Sequence, residues 1–188
     1  SNKYINIFFI GRFTKKKGLE EFLKLFSDEL KELKSLRLYI AGEGPLKKQY
    51  LKLIEKLRLS EYVKFTGYLN TQQKKYFYSN CNLVVIPSVI TRLGDREGLP
   101  TVLLEAMYNG SITFSSVGSN AEELITDGLN GFLFDYDDID GSKEKLRSIF
   151  HLDKIELEKI SESAKEKVES YTTKNITKLF YNHLFKIA

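Results

Sequence analysis

Short apolar segments alternate with helical patterns along most of this chain, and this alternation constrains the fold more than any other feature. Six short segments are rich in β-branched, aromatic or leucine residues. Such segments are typical of buried strands. They are Ile5–Ile10, Leu36–Ala41, Val63–Thr66, Leu83–Ile86, Ile112–Ser115 and Phe132–Phe134. Strands that alternate with helices form βαβ units. We therefore predict an α/β fold, a doubly wound parallel sheet of about six strands with helices on both faces.

The segments between the predicted strands carry helical signals. Leucine and phenylalanine recur at helical spacing over Leu19–Leu33, and proline or a capping residue precedes others. The predicted helices are Leu19–Leu33, 45–57, Thr71–Ser79, 100–108 and the brief Ala121–Ile125. After Asp135 no strand pattern returns, and three helices are predicted over Gly141–Phe150, Lys154–Tyr171 and Thr173–Phe185.

The length of 188 residues is typical of one domain with a substantial core. We assign residues 4–140 to the sheet domain and residues 141–188 to a helical tail of the same domain. Residues 1–3 resemble a cloning scar, and an apolar strand follows almost at once. We therefore expect the chain to be excised from a longer protein.

Composition excludes several classes of protein. The chain is 42% hydrophobic and 29% charged, with a net charge of +4, which is ordinary for a globular domain. No apolar run approaches the roughly 18 residues of a membrane-spanning helix, and no signal peptide is visible. The single cysteine, Cys81, excludes an internal disulfide framework and fits a reducing compartment. We predict a cytoplasmic protein without a nucleic-acid partner.

In parallel α/β sheets, ligands bind beyond the carboxyl ends of the strands. The irregular loops of this chain all follow predicted strands, and they are 11–18, 42–45, 67–69, 88–100 and 116–120. The candidate site is therefore expected to be built from several of these loops.

The most unusual of these segments runs from Glu97 into the helix that Pro100 is expected to open at its first position. That helix is apolar almost all round, so we expect it to be buried, yet it contains Glu105. A helix N-terminus with free amides is an anion site. Two carboxylates around such a site suggest a ligand that carries both phosphate and hydroxyl groups. In isolation, Glu105 is as well explained by a structural pair with a nearby lysine.

Two further loops carry candidate ligand groups, each with a simpler alternative. In the loop 11–18, Arg12 and Lys17 could both face the ligand crevice and bind phosphate. The alternative is a solvated basic loop. In the segment 42–45, the glycines allow close approach of a ligand or of another backbone segment. The alternative there is a tight turn between a strand and a helix.

Together these motifs resemble the nucleotide-sugar-binding, C-terminal half of retaining glycosyltransferases with the GT-B fold, whose two halves are Rossmann-like. The resemblance is greatest to glycosyltransferase family 4, also called glycosyl transferases group 1. It extends in consistent order from about Tyr4 to Phe134, and it includes two glutamates eight residues apart. The motifs that carry it lie at residues 11–18, 42–45, 97–107 and 127–133.

The resemblance implies roles on the diphosphate and sugar side of a donor substrate. Arg12 and Lys17 would bind the diphosphate, and Glu97 would hold sugar hydroxyls, so these three form the predicted catalytic set. Backbone amides would contact the diphosphate or the sugar at Gly98, Leu99, Thr101 and Val102. No metal site and no cofactor is predicted, and His151 and His183 in the tail are expected to be ordinary surface or packing residues.

The resemblance also implies a nucleoside side to the site. Glu105 would hold the ribose hydroxyls, which would account for a carboxylate in an apolar helix. The turn with Tyr68 and Leu69 would border the nucleobase. The segments that contain Gly11, Gly44 and Pro100 complete the predicted donor-binding set.

The chain departs from the family pattern at several positions. Cys81-Asn82 stands where members often have Ala-Asp, and Ser119 replaces the second of two glycines. The loop Val89 to Arg96 is longer than the shortest family versions, and its end resembles members that build cell-surface polysaccharides. Either Glu122 or Glu123 could match a further family glutamate, so no role is assigned to either.

The resemblance therefore implies a retaining glycosyltransferase domain that takes a nucleoside-diphosphate sugar. The acceptor would be a glycan or a lipid-linked glycan bound by an N-terminal half, and the full-length enzyme would contact the inner membrane face peripherally. This domain alone is expected to bind the donor with little or no turnover. Two alternatives stay open: a non-hydrolysing nucleotide-sugar epimerase, which needs acid and base groups not found here, and a non-catalytic binding module.

Overall fold

The computed structural model of the protein describes residues 5–32 and 36–185, with side chains described up to Tyr171. The predicted cloning scar therefore lies outside the described residues. Six strands are present: β1 (Ile5–Ile10), β2 (Leu36–Ala41), β3 (Val63–Gly67), β4 (Leu83–Ile86), β5 (Thr113–Ser116) and β6 (Phe132–Phe134). The α-helices are α1 (Leu19–Leu25), α2 (Ser27–Glu32), α3 (Lys47–Lys56), α4 (Thr71–Asn80), α5 (Thr101–Tyr108), α6 (Ile139–Ile149) and α7 (Lys154–Phe185). Two 3₁₀ turns lie at Lys15–Lys17 and Ala121–Glu123.

All six strands form one parallel sheet in the order β3-β2-β1-β4-β5-β6. The predicted α/β class and doubly wound Rossmann-like sheet are therefore confirmed. The chain first adds strands on one side of β1 and then returns to add β4, β5 and β6 on the other side. The strand order thus reverses between β1 and β4, and the carboxyl ends of these two strands border a crevice.

The sheet is covered on both faces, and successive residues of one strand alternate between the two cores because the side-chain period of a strand is two. In β1, Ile7 and Phe9 point into one core and Phe8 into the other. The first core includes side chains of α1, α2, α3 and α6, whereas the second includes those of α4 and α5. Helix α7 contributes Ile160 to the first core and Val168 to the second.

The structure corrects two predicted helix boundaries. The helix predicted over Leu19–Leu33 is bent at Phe26, whose ψ of 14° separates α1 from α2, although the Phe26 amide still donates to the Phe22 carbonyl. The Phe26 ring packs against three other phenylalanine rings, which fixes it in the core. The prediction of separate helices at Lys154–Tyr171 and Thr173–Phe185 is also wrong, because α7 is continuous. The segment contains no glycine or proline, and Thr172 and Thr173, at the predicted break, each destabilise a helix by only a fraction of a kcal/mol.

No helix in the described part of the chain is long and apolar enough to cross a membrane.

Candidate functional site

The loops after β1 and β4 meet at the crevice where the strand order reverses. The Val89 amide donates to the Lys16 carbonyl at 2.9 Å, which joins the two loops directly. From the loop after β6, the hydroxyl of the partly buried Tyr136 donates to the Pro87 carbonyl at 2.8 Å and lies 3.4 Å from the Gly18 carbonyl. Burial raises the pKa of Tyr136 well above its usual value, so the phenol stays protonated as a donor. Three strand ends therefore share one hydrogen-bonded framework.

Lys17 and Glu97 form an ion pair across this crevice. Lys17 lies in the 3₁₀ turn that Gly18 ends in a left-handed conformation. Its Nζ donates to Glu97 Oε2 at 2.6 Å, and the two side chains are only 20% and 12% exposed. The predicted catalytic residues Lys17 and Glu97 are thus brought into contact, 80 positions apart in the chain. A lysine that can exchange one anionic partner for another is suited to binding a phosphate.

The backbone beside Glu97 presents free amides. In the described part of the chain, no hydrogen bond is donated by the amides of Gly98, Leu99, Thr101 and Val102. The first two bonds of the helix run from Leu103 and Leu104 to the Pro100 carbonyl. Pro100 is extended, with ψ 121°, so it is the residue before the helix and not its first residue as predicted. The free amides and the dipole of α5 together favour an anion here.

Glu105 is less buried than predicted, because its side chain is 40% exposed. Its two carboxylate oxygens accept from Lys74 Nζ at 2.9 and 3.0 Å, and Oε2 also accepts from the Tyr78 hydroxyl at 2.9 Å. Lys74 and Tyr78 lie one turn apart on α4, so both reach the same face of α5. Burial, reinforced by the bond to Glu105, raises the pKa of Tyr78. The predicted structural pair with a lysine is therefore present, and one carboxylate edge stays open to solvent.

The other predicted side chains differ in their exposure. Arg12 is exposed, and within the described residues its guanidinium has no ion pair or hydrogen bond. Tyr68 is 84% exposed beyond β3, whereas the neighbouring Leu69 is buried in the core of α4 and α5. Arg12 is therefore free to bind an anion. Only the backbone of Leu69 could face a ligand, because its side chain is packed.

The glycines of the loop 42–45 have packing roles in the structure. A Cβ added to Gly44 would lie 2.6 Å from the Phe13 amide nitrogen, and one added to Gly42 would lie 2.0 Å from the Gly11 carbonyl oxygen. Gly42 also has φ +120°. The Phe13 amide donates to the Glu43 carbonyl at 2.9 Å. These glycines let the loops after β1 and β2 approach closely. Within the loop after β1, Gly11 lies against the Lys17 stem, since an added Cβ would be 3.4 Å from Lys17 Cδ.

Comparison with known proteins decides the family. A family model described as "Glycosyl transferases group 1" matches residues 1–167, which is most of the chain. The chain belongs to this family. Its relatives include WcaL of Escherichia coli (strain K12), whose name assigns it to colanic acid biosynthesis as a glycosyltransferase. It is 30% identical over 165 residues, which cover 88% of this chain and 41% of WcaL. The chain thus spans about two fifths of the length of that relative.

Solved structures agree with the GT-B glycosyltransferase fold. TarM of S. aureus, solved with UDP among its ligands, has a TM-score of 0.81 at 22% identity, over 96% of this chain and 35% of TarM. A second match is titled as the C-terminal domain of a glycosyl transferase group 1 family protein, LpcC of Francisella tularensis. Its TM-score is 0.73 at 22% identity, over 88% of this chain and 85% of that domain. Both likenesses concern the fold.

Four residues of this glycosyltransferase domain contact the candidate site without having been predicted from the sequence. Lys74 and Tyr78 hold Glu105, Tyr136 joins the loops of the crevice, and Asn120 Nδ2 donates to the Glu97 carbonyl at 2.9 Å. The spacing of Lys74 and Tyr78 indicated part of their role, because two residues four positions apart lie on the same face of a helix. Asn120 and Tyr136 follow strands, but no pattern in the sequence indicated their partners.

The structure gives Glu122 a role in the loop after β5, where its carboxylate accepts a hydrogen bond from the Gly118 amide. Glu123 is exposed. Within the described residues, no group of three or more histidine, cysteine, aspartate or glutamate side chains is arranged to hold a metal ion. His151 is exposed, and His183 lies beyond the described side chains.

Proposed function

We propose that this chain is the donor-binding, C-terminal half of a retaining glycosyltransferase of family 4, and that the enzyme transfers a sugar from a nucleoside-diphosphate sugar. The acceptor would be a glycan or a lipid-linked glycan in the biosynthesis of a cell-surface polysaccharide. The observation that carries the proposal is the Lys17–Glu97 pair beside the free amides of Gly98 and Thr101, at the point where the strand order reverses.

The diphosphate would bind to Arg12, Lys17 and the free amides. Arg12 has no competing partner among the described residues, and Lys17 has only to turn one of its three N–H bonds from Glu97 to a phosphate oxygen. The glutamate would then be free to accept hydrogen bonds from sugar hydroxyls beside the diphosphate. Lys17 and Glu97, which pair with each other in the structure, would thus bind the diphosphate and the sugar of the same donor.

The nucleoside would lie on the other side of the diphosphate. Glu105 offers a carboxylate edge that solvent reaches, with Lys74 and Tyr78 fixing its orientation. A carboxylate accepts two hydroxyl donors well, and adjacent ribose hydroxyls supply two donors. The exposed Tyr68 ring would border the nucleobase. Two glutamates in this arrangement bind hydroxyl groups and do not form the acid and base pair of a glycosidase.

Leaving-group stabilisation would be the catalytic contribution of this half. As the bond between the anomeric carbon and the diphosphate oxygen breaks, positive charge develops on the carbon and negative charge on the leaving diphosphate. Arg12, Lys17 and the free amides at the start of α5 would stabilise that negative charge, and the amides would do so from positions that the backbone already fixes. We propose that this stabilisation operates without a metal ion.

Three points support the wider role. WcaL is assigned to colanic acid biosynthesis by its name, and the TarM structure contains UDP. A net charge of +4 is compatible with peripheral contact between the full-length enzyme and an anionic membrane face. Because the chain spans 41% of WcaL, donor binding is a better first measurement on it than turnover.

Calorimetric titration of the chain with UDP, GDP and their sugar conjugates tests this function. We expect one of the two diphosphates to bind, and the Lys17→Ala variant to lose that binding. Lys31→Ala is the matched control, because Lys31 forms an exposed ion pair with Asp28 at 2.9 Å within α2, which precedes the amino end of β2 and not the carboxyl end where the crevice lies. Absence of binding by the unsubstituted, folded chain to every nucleotide tested would contradict the proposal.

A further inference from the structure

Asn120 has an unusual backbone conformation at the edge of the candidate site. In the described part of the chain only two residues other than glycine have a positive φ, and Asn120, at φ 59°, is one of them. This left-handed conformation is costly for most side chains but tolerated by asparagine. It directs the Asn120 side chain from the loop after β5 to the loop after β4, where Nδ2 donates to the Glu97 carbonyl at 2.9 Å.

The peptide bond between Glu97 and Gly98 is therefore held in one orientation. No peptide bond in the described residues is cis, and in a trans peptide the C=O and N–H groups point in opposite directions. With the Glu97 carbonyl bound to Asn120, the Gly98 N–H points away from the loop after β5. Among the described residues that N–H has no hydrogen-bond partner, and Gly98 is exposed. The free donor thus belongs to a residue that a ligand can reach.

The loop that carries Asn120 is itself fixed. Ser119 is buried, and its hydroxyl donates to the Ser116 carbonyl at 2.7 Å and lies 3.1 Å from the Ser115 hydroxyl. The Gly118 amide donates to the Glu122 carboxylate. Asn120 therefore acts from a support anchored to β5, whereas Gly98 belongs to an exposed loop without regular structure.

We propose that Asn120 is a positioning residue that fixes the Gly98 amide as a hydrogen-bond donor to the diphosphate or to the sugar oxygen beside it. The inference rests on the proposed donor-binding function. Glycine permits many backbone orientations, so an unrestrained Glu97–Gly98 peptide could turn its carbonyl toward the anion. A donor that is already oriented binds more tightly and needs no reorganisation when negative charge develops.

Three substitutions of Asn120 separate positioning from backbone conformation. Asn120→Gly keeps the left-handed conformation and removes the side-chain donor, and we expect it to weaken UDP binding by about three- to tenfold, the equivalent of one hydrogen bond. Asn120→Asp places a carboxylate against the Glu97 carbonyl, so this variant should lose more UDP affinity than the glycine variant. Asn120→Ala should bind UDP as weakly as Asn120→Gly and have a lower Tm, because it adds backbone strain. GDP replaces UDP if the chain prefers guanine.

The affinity for uridine distinguishes loss of the Gly98 donor from a general structural defect, because a general defect would weaken uridine binding as well. Uridine lacks the diphosphate, so the glycine variant should bind it within about twofold of the unsubstituted chain. In ¹H–¹⁵N NMR spectra, the Gly98 amide resonance should shift on addition of UDP to the unsubstituted chain and shift less in the glycine variant, both at saturating UDP.

The outcomes distinguish the two proposals. If Asn120→Gly binds UDP as tightly as the unsubstituted chain and only Asn120→Ala is weakened, the asparagine serves backbone conformation alone and the inference is overturned. Equal weakening of UDP and uridine binding by Asn120→Gly would overturn it too. If the unsubstituted chain binds no nucleotide, the donor-binding function itself fails.

Discussion

Glu97 and Glu105 are eight residues apart, and each accepts a hydrogen bond from a lysine, at 2.6 and 2.9 Å. Their surroundings differ. Glu97 is 12% exposed, lies in a loop, and meets a lysine from the loop across the crevice. Glu105 is 40% exposed, lies in a regular helix, and is held by Lys74 and Tyr78 on a neighbouring helix. A helix carboxylate with two fixed partners suits the ribose, which does not change during the proposed reaction. A loop carboxylate beside free amides suits the sugar and the diphosphate, between which the bond would break.

The largest loss of donor affinity is expected when Lys17, the partner of Glu97, is removed. Lys17→Ala leaves the nearly buried Glu97 carboxylate without its closest cation, and that carboxylate would then repel a diphosphate. We expect donor affinity to fall roughly 100-fold, about 2.8 kcal/mol. Isothermal titration calorimetry measures this loss. A change below threefold, the size expected for the exposed control Lys31→Ala, would show that the pair has no part in donor binding.

Substitution of Glu105 should affect only the ribose side of the site. In Glu105→Gln the amide can still accept from Lys74 and Tyr78, so the fold should be unchanged, but it accepts ribose hydroxyls less well. We expect about tenfold weaker binding of UDP. Binding of the 2′,3′-dideoxy analogue to the variant and to the unsubstituted chain should be nearly equal. Unchanged UDP binding would remove the ribose assignment.

Tyr136→Phe tests whether the Glu97 side depends on tertiary hydrogen bonds more than the Glu105 side does. The variant keeps the ring against Phe134 but loses the donor to the Pro87 carbonyl. We expect the free energy of unfolding to fall by about 1 kcal/mol, a decrease in Tm of roughly 2–4 °C. Affinity should fall for UDP and not for uridine. Tyr76→Phe is the control, because Tyr76 is 64% exposed; an equal effect there would refute the bridging role.

The last prediction concerns the reactivity of Cys81, which follows α4 on the Glu105 side, and involves no change in donor affinity. Burial raises the pKa of the Cys81 thiol to about 12. The thiolate fraction at pH 8 is then about 10⁻⁴, so alkylation by iodoacetamide should be far slower than for an unperturbed cysteine. The rate should rise about tenfold per pH unit up to pH 10. Fast alkylation at pH 8, followed by mass spectrometry, would show that the end of α4 opens and that the Glu105 side is the less rigid one.

Much of the fold could be predicted from the sequence because its signals are local. Strands β1, β2, β4 and β6 have the predicted bounds, β3 is one residue longer than predicted, and β5 is shifted by one residue. The bend at Phe26 could not be predicted in this way, because it depends on the rings that Phe26 meets in the core. The break predicted after Tyr171 was an error against a local signal, since residues 154–185 contain no glycine or proline and α7 is continuous.

The candidate site divides in the same way. The sequence by itself determined the class of fold, the loops that follow the strands, and the residue types Arg12, Lys17, Glu97 and Glu105, because periodicity, turn residues and motif spacing are properties of neighbouring positions. Only the tertiary structure decided that Lys17 meets Glu97, that Lys74 and Tyr78 hold Glu105, and that Asn120 orients the Glu97–Gly98 peptide. These contacts join segments 23 to 80 residues apart. They depend on the strand order, which places β1 beside β4 and β4 beside β5, and no local pattern encodes that order.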